Sequence, residues 1–223
     1  MDWTPVIISL KTACVSILIT FFVGLLVAWL ILRLKNNTVK IVLDGIFTLP
    51  MVLPPTVVGF FLLYIFGVRG PIGKFFLDFF AYKIAFSWSA TVLAAFVMSF
   101  PLMYRSARGA FEQVDSNLLD AARTLGMSEW QIFRKILLAN ALPGIISGGI
   151  LAFARGFGEF GATSMIAGNI MGKTRTLPIA VYSEVAAGNM DNAYQYVIVI
   201  VIIAFIAVFI MDFISIRNEK KWR

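Results

Sequence analysis

Residues 12–32 read TACVSILITFFVGLLVAWLIL, with no charged side chain anywhere in the run. A hydrocarbon core about 30 Å thick is crossed by about 20 helical residues, each adding about 1.5 Å. This stretch therefore predicts a membrane-spanning helix. Moving outward, the pattern returns four times. Ile41–Phe66 is interrupted by Pro50, Pro54 and Pro55, Ile84–Tyr104 holds Ser, Trp and Pro, Leu142–Ile166 is rich in glycine, and Tyr196–Ile216 is the most uniformly apolar. The expected fold class is an all-α polytopic membrane protein of about five transmembrane helices, with residues 1–223 forming one transmembrane domain.

Composition points the same way. Of 223 residues, 60% are hydrophobic and 14% charged, against about 45–50% and about 25% in soluble domains. A soluble fold would have to expose much of that apolar surface and aggregate. A soluble enzyme, a disordered tail and a nucleic-acid-binding module are excluded. The chain has no histidine and one cysteine, Cys14. His-based catalysis, His or thiolate metal sites and an internal disulfide are therefore absent. Cys14 lies in the first apolar run and reads as a small hydrophobe. No cofactor or metal is expected, and no G-x-x-x-x-G-K-[ST] nucleotide loop occurs.

The net charge of +7 reads as an orientation signal rather than a nucleic-acid footprint. With five spans, twelve basic residues share one side: Arg33, Lys35, Lys40, Arg105, Arg108, Arg123, Arg134, Lys135, Arg217, Lys220, Lys221 and Arg223. Lys11, Arg69, Lys74, Lys83, Lys173 and Arg175 lie on the other, and Arg155 falls inside the fourth span. The richer side is cytoplasmic by the positive-inside rule, which puts the N-terminus outside and the C-terminus inside. The first span is not expected to be a signal peptide, because it is too long, its basic residues follow it and no A-x-A site closes it. Trp3, Trp29, Trp88 and Trp222 read as interface anchors, and Asp44 and Asp212 as interfacial or capping residues. No internal repeat is visible, which weakens a carrier built from inverted halves.

The longest polar segment, about residues 105–140, carries the sharpest local signals. Asp115 or Ser116 can cap a short helix. Gly126 can end it by accepting a left-handed conformation. Ser128 and Gln131 have capping-box spacing for a second helix. Leu118, Leu119, Ala122 and Leu125 would form one apolar face. On these residues alone, the segment is either a helix pair lying on the membrane or a docking element for a soluble partner.

Asp120-Ala121-Ala122, then Gly126, then Ile136 resembles the EAA loop of bacterial ABC importer permeases. Asp120 stands where that family has glutamate, and Ala139 where it usually has proline, although Pro143 follows. The resemblance extends to molybdate permeases through LPMVLPPTVVG (49–59), AFSW (85–88), MSFPL (98–102), AFARGFGEFGAT (152–163) and GNIMGKTRTLP (168–178). Sulfate and tungstate permeases share part of these motifs. The resemblance implies a type I ABC importer permease fold with cytoplasmic coupling helices, in a bacterial or archaeal plasma membrane. It implies Asp120, Ala121, Ala122, Leu125 and Gly126 as the coupling residues. It also implies a second copy of the chain, two P-loop ATPase subunits that hold the ATP and Mg, and an external oxyanion-binding protein. The chain itself would then be a translocation subunit, not an enzyme, embedded in membrane lipid and carrying molybdate, tungstate or sulfate. The rival class is an ion-coupled carrier or channel that works alone.

Pathway candidates follow from what the bilayer makes costly. Pro50, Pro54 and Pro55 free backbone carbonyls that must be buried or line a wet cavity, so this segment is either a packed kink or a pathway wall. It also offers the Thr48 and Thr56 hydroxyls. Arg155 and Glu159, four apart, are expected on one helix face, either as an ion pair fixing helix packing or as part of an anion path with Ser99 and Thr163 nearby. Gly144 and Gly148 read as close helix packing, and Gly158 and Gly161 as candidate hinges. The segment 169–178 is either a simple turn or a contact for an external protein. Residues 177–187 are expected to form a short external helix.

Overall fold

The computed structural model describes residues 2–219. Lys220, Lys221 and Arg223, expected in the basic C-terminal cluster, and Trp222, expected as an interface anchor, lie outside the described residues. Eleven α-helices follow in order: α1 Thr4–Leu32, α2 Asn37–Val52, α3 Pro55–Phe66, α4 Pro71–Phe80, α5 Trp88–Glu112, α6 Ser116–Thr124, α7 Glu129–Ile132, α8 Leu138–Phe157, α9 Gly161–Ile166, α10 Leu177–Ala186 and α11 Met190–Glu219. A π-helical turn, Phe133–Leu137, joins α7 to α8. Among the described residues, four continuous helices are long and apolar enough to cross a membrane, and α2 with α3 makes a fifth crossing if that bent pair counts as one. The expected all-α, roughly five-span architecture is present.

Several boundaries differ from expectation. The second apolar run is two helices bent by 112°, because Pro54 and Pro55 cannot continue the hydrogen-bond ladder and Leu53 is forced into extended backbone. The third span runs on to Glu112, so Arg105 and Arg108 stand on α5 rather than in a loop. The loop expected over 105–140 narrows to 113–128, since α7, the π-turn and α8 form one rod from Glu129 to Phe157. Ala139 sits inside that rod, where the usual proline would remove a donor. The fourth span stops at Phe157, and α9 starts after a break at Gly158, Glu159 and Phe160. The short helix at Leu177–Ala186 is where it was expected, while α4 was not foreseen.

Helices α1 and α5 are joined by buried hydroxyls. Thr12 and Thr91 are 2.9 Å apart and Thr20 and Ser99 3.0 Å apart, each pair separated by 79 residues. A constant offset means that the two helices run parallel. The Trp88 indole N–H also donates to Thr12 at 3.1 Å, and Lys11 lies 4.3 Å from the Trp88 ring. Helix α8 packs antiparallel to α5 through Gly144 against Ala110 and Gly148 against Ser106. A Cβ on Gly148 would fall 2.2 Å from Ser106 Cβ, so close packing is the role of this small-residue pair. Around these contacts Met103, Tyr104, Ile145 and Ala28 form the largest buried cluster. At the far end of α1, Trp29 packs on Phe133 with ring centroids 4.6 Å apart. The start of α1 and the 113–128 loop are thus at opposite ends of the bundle.

The close α5–α8 contact gives a stability test. Gly148→Val should cost about 1–3 kcal/mol through overpacking and lower the thermal unfolding midpoint of the purified protein in detergent. Gly45→Ala, at a helical site with nothing within 4 Å of the new Cβ, should leave the midpoint unchanged or raise it slightly.

Candidate functional site

Two helix breaks lie against each other. A Cβ on Gly161 would sit 2.7 Å from Pro55 Cβ and 3.3 Å from the Thr56 nitrogen, and one on Gly59 would sit 2.8 Å from Ala162 Cα. The α2–α3 bend and the α8–α9 break therefore touch backbone to backbone, which glycine at 59 and 161 permits. The structure brings together Pro54, Pro55, Thr56, Glu159 and Thr163 from stretches about a hundred residues apart in sequence. Pro54 and Thr56 are exposed, Pro55 half-buried and Thr163 buried.

Glu159 is the charged centre of this junction. It does not lie on the α8 face with Arg155, because the helix has already ended. Its carboxylate nevertheless turns back, accepting from Arg155 Nη1 at 2.5 Å through Oε2 and from the Ala162 N–H at 2.7 Å through Oε1. Both oxygens are engaged, and the second bond caps the start of α9. The Glu159 side chain is 1% exposed and that of Arg155 32%. The pair thus holds its anion in the protein and leaves part of its cation open, so Arg155 can make a further contact with an anion without giving up Glu159.

Ser99 does not join this group, because its hydroxyl is buried against Thr20 on the α1 side. Thr48 likewise spends its hydroxyl on the Asp44 carbonyl at 2.7 Å.

The 113–128 segment builds a hairpin from local signals. The Asp115 carboxylate accepts the Asn117 N–H at 2.9 Å and caps α6. At its far end the Met127 N–H reaches the Ala122 carbonyl and the Gly126 N–H the Arg123 carbonyl, with Gly126 at φ +76°. This is a Schellman closure, which needs a left-handed residue at that position. Ser128 and Gln131 exchange both capping-box hydrogen bonds, at 2.9 and 3.3 Å. Ala122 is buried, while Asp120, Ala121, Leu118 and Leu125 are exposed, Leu125 to 81%. The apolar face of α6 is thus divided: Leu119 and Ala122 face the bundle, while Leu118 and Leu125 have no cover within the chain.

A chain of charges ties this hairpin to α1. Asp120 pairs with Arg123 at 2.6 Å, Arg123 with Glu129 at 3.0 Å, and Glu129 with Arg33 at 3.7 Å. Arg33 in turn lies 3.9 Å over the Trp29 ring. The hydrogen bond to Glu129 pushes the Arg123 guanidinium further up.

Sequence reasoning missed one cluster. Asp44, read as interfacial or capping, lies inside α2, where it accepts from Tyr104 and pairs with Arg108 of α5. Arg108 also holds Glu112 at 2.8 Å, and Lys40 stands 3.9 Å from Glu112. The available signal was a carboxylate in an apolar run, which demands a partner.

Comparisons with known proteins agree with this architecture. Residues 20–223 match the family described as the binding-protein-dependent transport system inner membrane component. The chain is 45% identical to the molybdenum transport system permease protein ModB of Escherichia coli (strain K12), covering 100% of this chain and 97% of that one. It is 38% identical to ModB of Haemophilus influenzae, covering 99% and 96%. It is 41% identical to the putative molybdenum transport system permease protein YvgM of Bacillus subtilis, covering 94% and 92%. Among solved structures, an inward-facing MetNI methionine ABC transporter superposes with TM-score 0.75 at 21% identity, covering 96% and 95%. A bacterial alginate ABC transporter superposes with TM-score 0.77 at 14% identity, covering 96% of this chain and 78% of that one. These two likenesses concern the fold, which is that of a type I ABC importer permease.

The junction makes a stability prediction. Glu159→Leu leaves Arg155 and the Ala162 N–H without their acceptor, at a cost of about 3 kcal/mol, the lower end for breaking a buried pair. Glu159→Gln keeps an oxygen for Ala162 and should cost less. Thermal unfolding in detergent should rank wild type above Gln above Leu, and equal midpoints would remove the pair from the packing of the junction.

Proposed function

Since the chain belongs to the inner-membrane components of binding-protein-dependent transport systems, we propose that it is the permease subunit of an ATP-driven importer whose cargo is molybdate. The observation that carries the cargo is identity of 45% across the whole chain to a permease named for molybdenum transport. The motifs at 49–59, 152–163 and 168–178 support the same substrate class. Tungstate has the same shape and charge and sulfate is a smaller relative, so the choice among them falls to the external binding protein that delivers the anion.

In this reading the chain performs no bond chemistry. Two copies form the pore, and two P-loop ATPase subunits bind the ATP and Mg and dock on the 113–128 hairpins. That places the hairpin in the cytoplasm, the start of α1 outside, and the C-terminus inside the bacterial or archaeal plasma membrane. Asp120, Ala121, Leu125 and Gly126 present the docking face with Ala122 buried beneath them, supported by the exposed Leu118 and Leu125 side chains on a tightly capped helix. Movement of the hairpin passes to α1 through Arg33 and Trp29, and to α8 through the rod that begins at Glu129. The spans then alternate between outward-open and inward-open states.

The oxyanion path runs by the double break. Arg155 attracts the dianion, and its bond to Glu159 keeps the attraction weak enough for release. The freed carbonyls near Pro54 and Pro55 and the Thr56 hydroxyl belong to a wet wall rather than a lipid face.

Reconstitution with the ATPase and binding protein tests each part. Gly126→Pro forces φ to about −65° where +76° is needed. It should leave the spans folded but reduce ATP-driven uptake to background and weaken co-purification of the ATPase. Arg155→Ala should slow oxyanion uptake about tenfold, the worth of one charge-assisted contact, with the ATPase still docked. Uptake by this chain alone, without any ATPase, would overturn the importer reading in favour of an ion-coupled carrier.

A further inference from the structure

Arg105 stands on α5 among charges that are already matched. Arg108 pairs with Asp44 and Glu112, and Lys40 lies beside Glu112. Among the described residues no carboxylate comes within 4.0 Å of Arg105. It also lies between two cavities. One, of about 320 Å³, lies over the Asp44–Arg108 cluster. The other, of about 530 Å³, opens between α5 and α8. The larger has Arg105 as its one cation and is lined by the polar side chains of Ser106, Gln113, Asn140 and Ser147. Its one carboxylate, Asp115, accepts the Asn117 N–H through Oδ1 in the α6 cap and forms no ion pair with Arg105. Leu118 of α6 completes the wall, so movement of the hairpin reshapes the cavity.

An arginine with no carboxylate in ion-pair range, beside hydroxyls and amides, is a site for an oxygen anion. We propose that Arg105 is a second anion contact, at the hairpin end of the path, which the transported tetrahedral oxyanion meets after Arg155 and before release. The proposal rests on the importer reading. A single guanidinium without a fixed ring of donors suits a passing contact, and the shared wall with α6 times that contact to the ATPase cycle.

The chemistry recognised is a tetrahedral oxygen anion, which is also the chemistry of a lipid phosphate. The test therefore uses the complete transporter in two kinds of vesicle, phosphatidylcholine alone and phosphatidylcholine with phosphatidylglycerol. Molybdate uptake per ATP hydrolysed should fall about tenfold in Arg105→Gln in both, with the ATPase rate unchanged, and Arg105→Lys should recover part of the loss. A second readout uses Ser147→Cys in a Cys14→Ser background. Molybdate should slow its labelling by an anionic thiosulfonate severalfold with Arg105 present and not with Gln there. Unchanged uptake in Arg105→Gln, or labelling indifferent to molybdate, overturns the proposal while the importer reading stands. A defect confined to phosphatidylglycerol vesicles assigns Arg105 to a headgroup and also overturns it. A wild-type transporter that moves no oxyanion removes the importer reading itself, and this proposal with it.

Discussion

The constraint on which the structure depends is that no backbone donor or acceptor can be left bare in hydrocarbon. Continuous helices meet it automatically. Two places in this chain do not, the bend at Leu53–Pro54 and the gap at Gly158–Phe160, and they are packed against each other. Glycines at 59 and 161 allow that approach, and the Glu159 carboxylate supplies an acceptor for the Ala162 N–H that begins the next helix. Close packing buries part of each break against the other. The arrangement collects irregular backbone, a buried carboxylate and a half-open guanidinium at one junction, the features from which the anion path is proposed.

The hairpin at the other end solves the opposite problem. It must keep its shape outside the bilayer with little core of its own. Local bonds supply that stiffness: a side-chain cap at Asp115, a Schellman closure at Gly126 and a reciprocal box at Ser128 and Gln131. Exposed ion pairs are individually weak. Their value here is geometric, since Asp120, Arg123, Glu129 and Arg33 form a continuous series that ends on the aromatic ring of Trp29. A stiff hairpin pinned to a spanning helix can transmit a push that a loose loop would absorb.

What was legible in the sequence was local. Uncharged runs gave the spans, and the capping residues announced the hairpin because each acts within three or four positions. The EAA-like spacing and the motif at 152–163 identified the family. Geometry decided by distant partners was not legible. Prolines announce a break but not its angle. The end of α8 at Phe157 lies in an apolar, glycine-rich run with no change of polarity to mark it. Arg105, Arg108 and Glu112 looked like loop residues because their charge suggests water, whereas Asp44 of α2 gives Arg108 a partner on a helix. Ser99 looked available to an anion until α1 placed Thr20 against it.

The paired hydroxyls between α1 and α5 have a mechanical consequence. Thr12 and Thr20 are separated by the same eight positions as Thr91 and Ser99, about 12 Å of helix. A slide of one helix along the other would unfasten both links together and strand the Thr12 and Thr20 hydroxyls, while Thr91 and Ser99 keep the Trp88 and Phe96 carbonyls of their own helix, so small creeping displacements have no intermediate resting place. The two helices are keyed like a shaft and its hub. Whatever torque the outer helix receives at its arginine-bearing end must reappear in the inner one as tilt rather than as slippage.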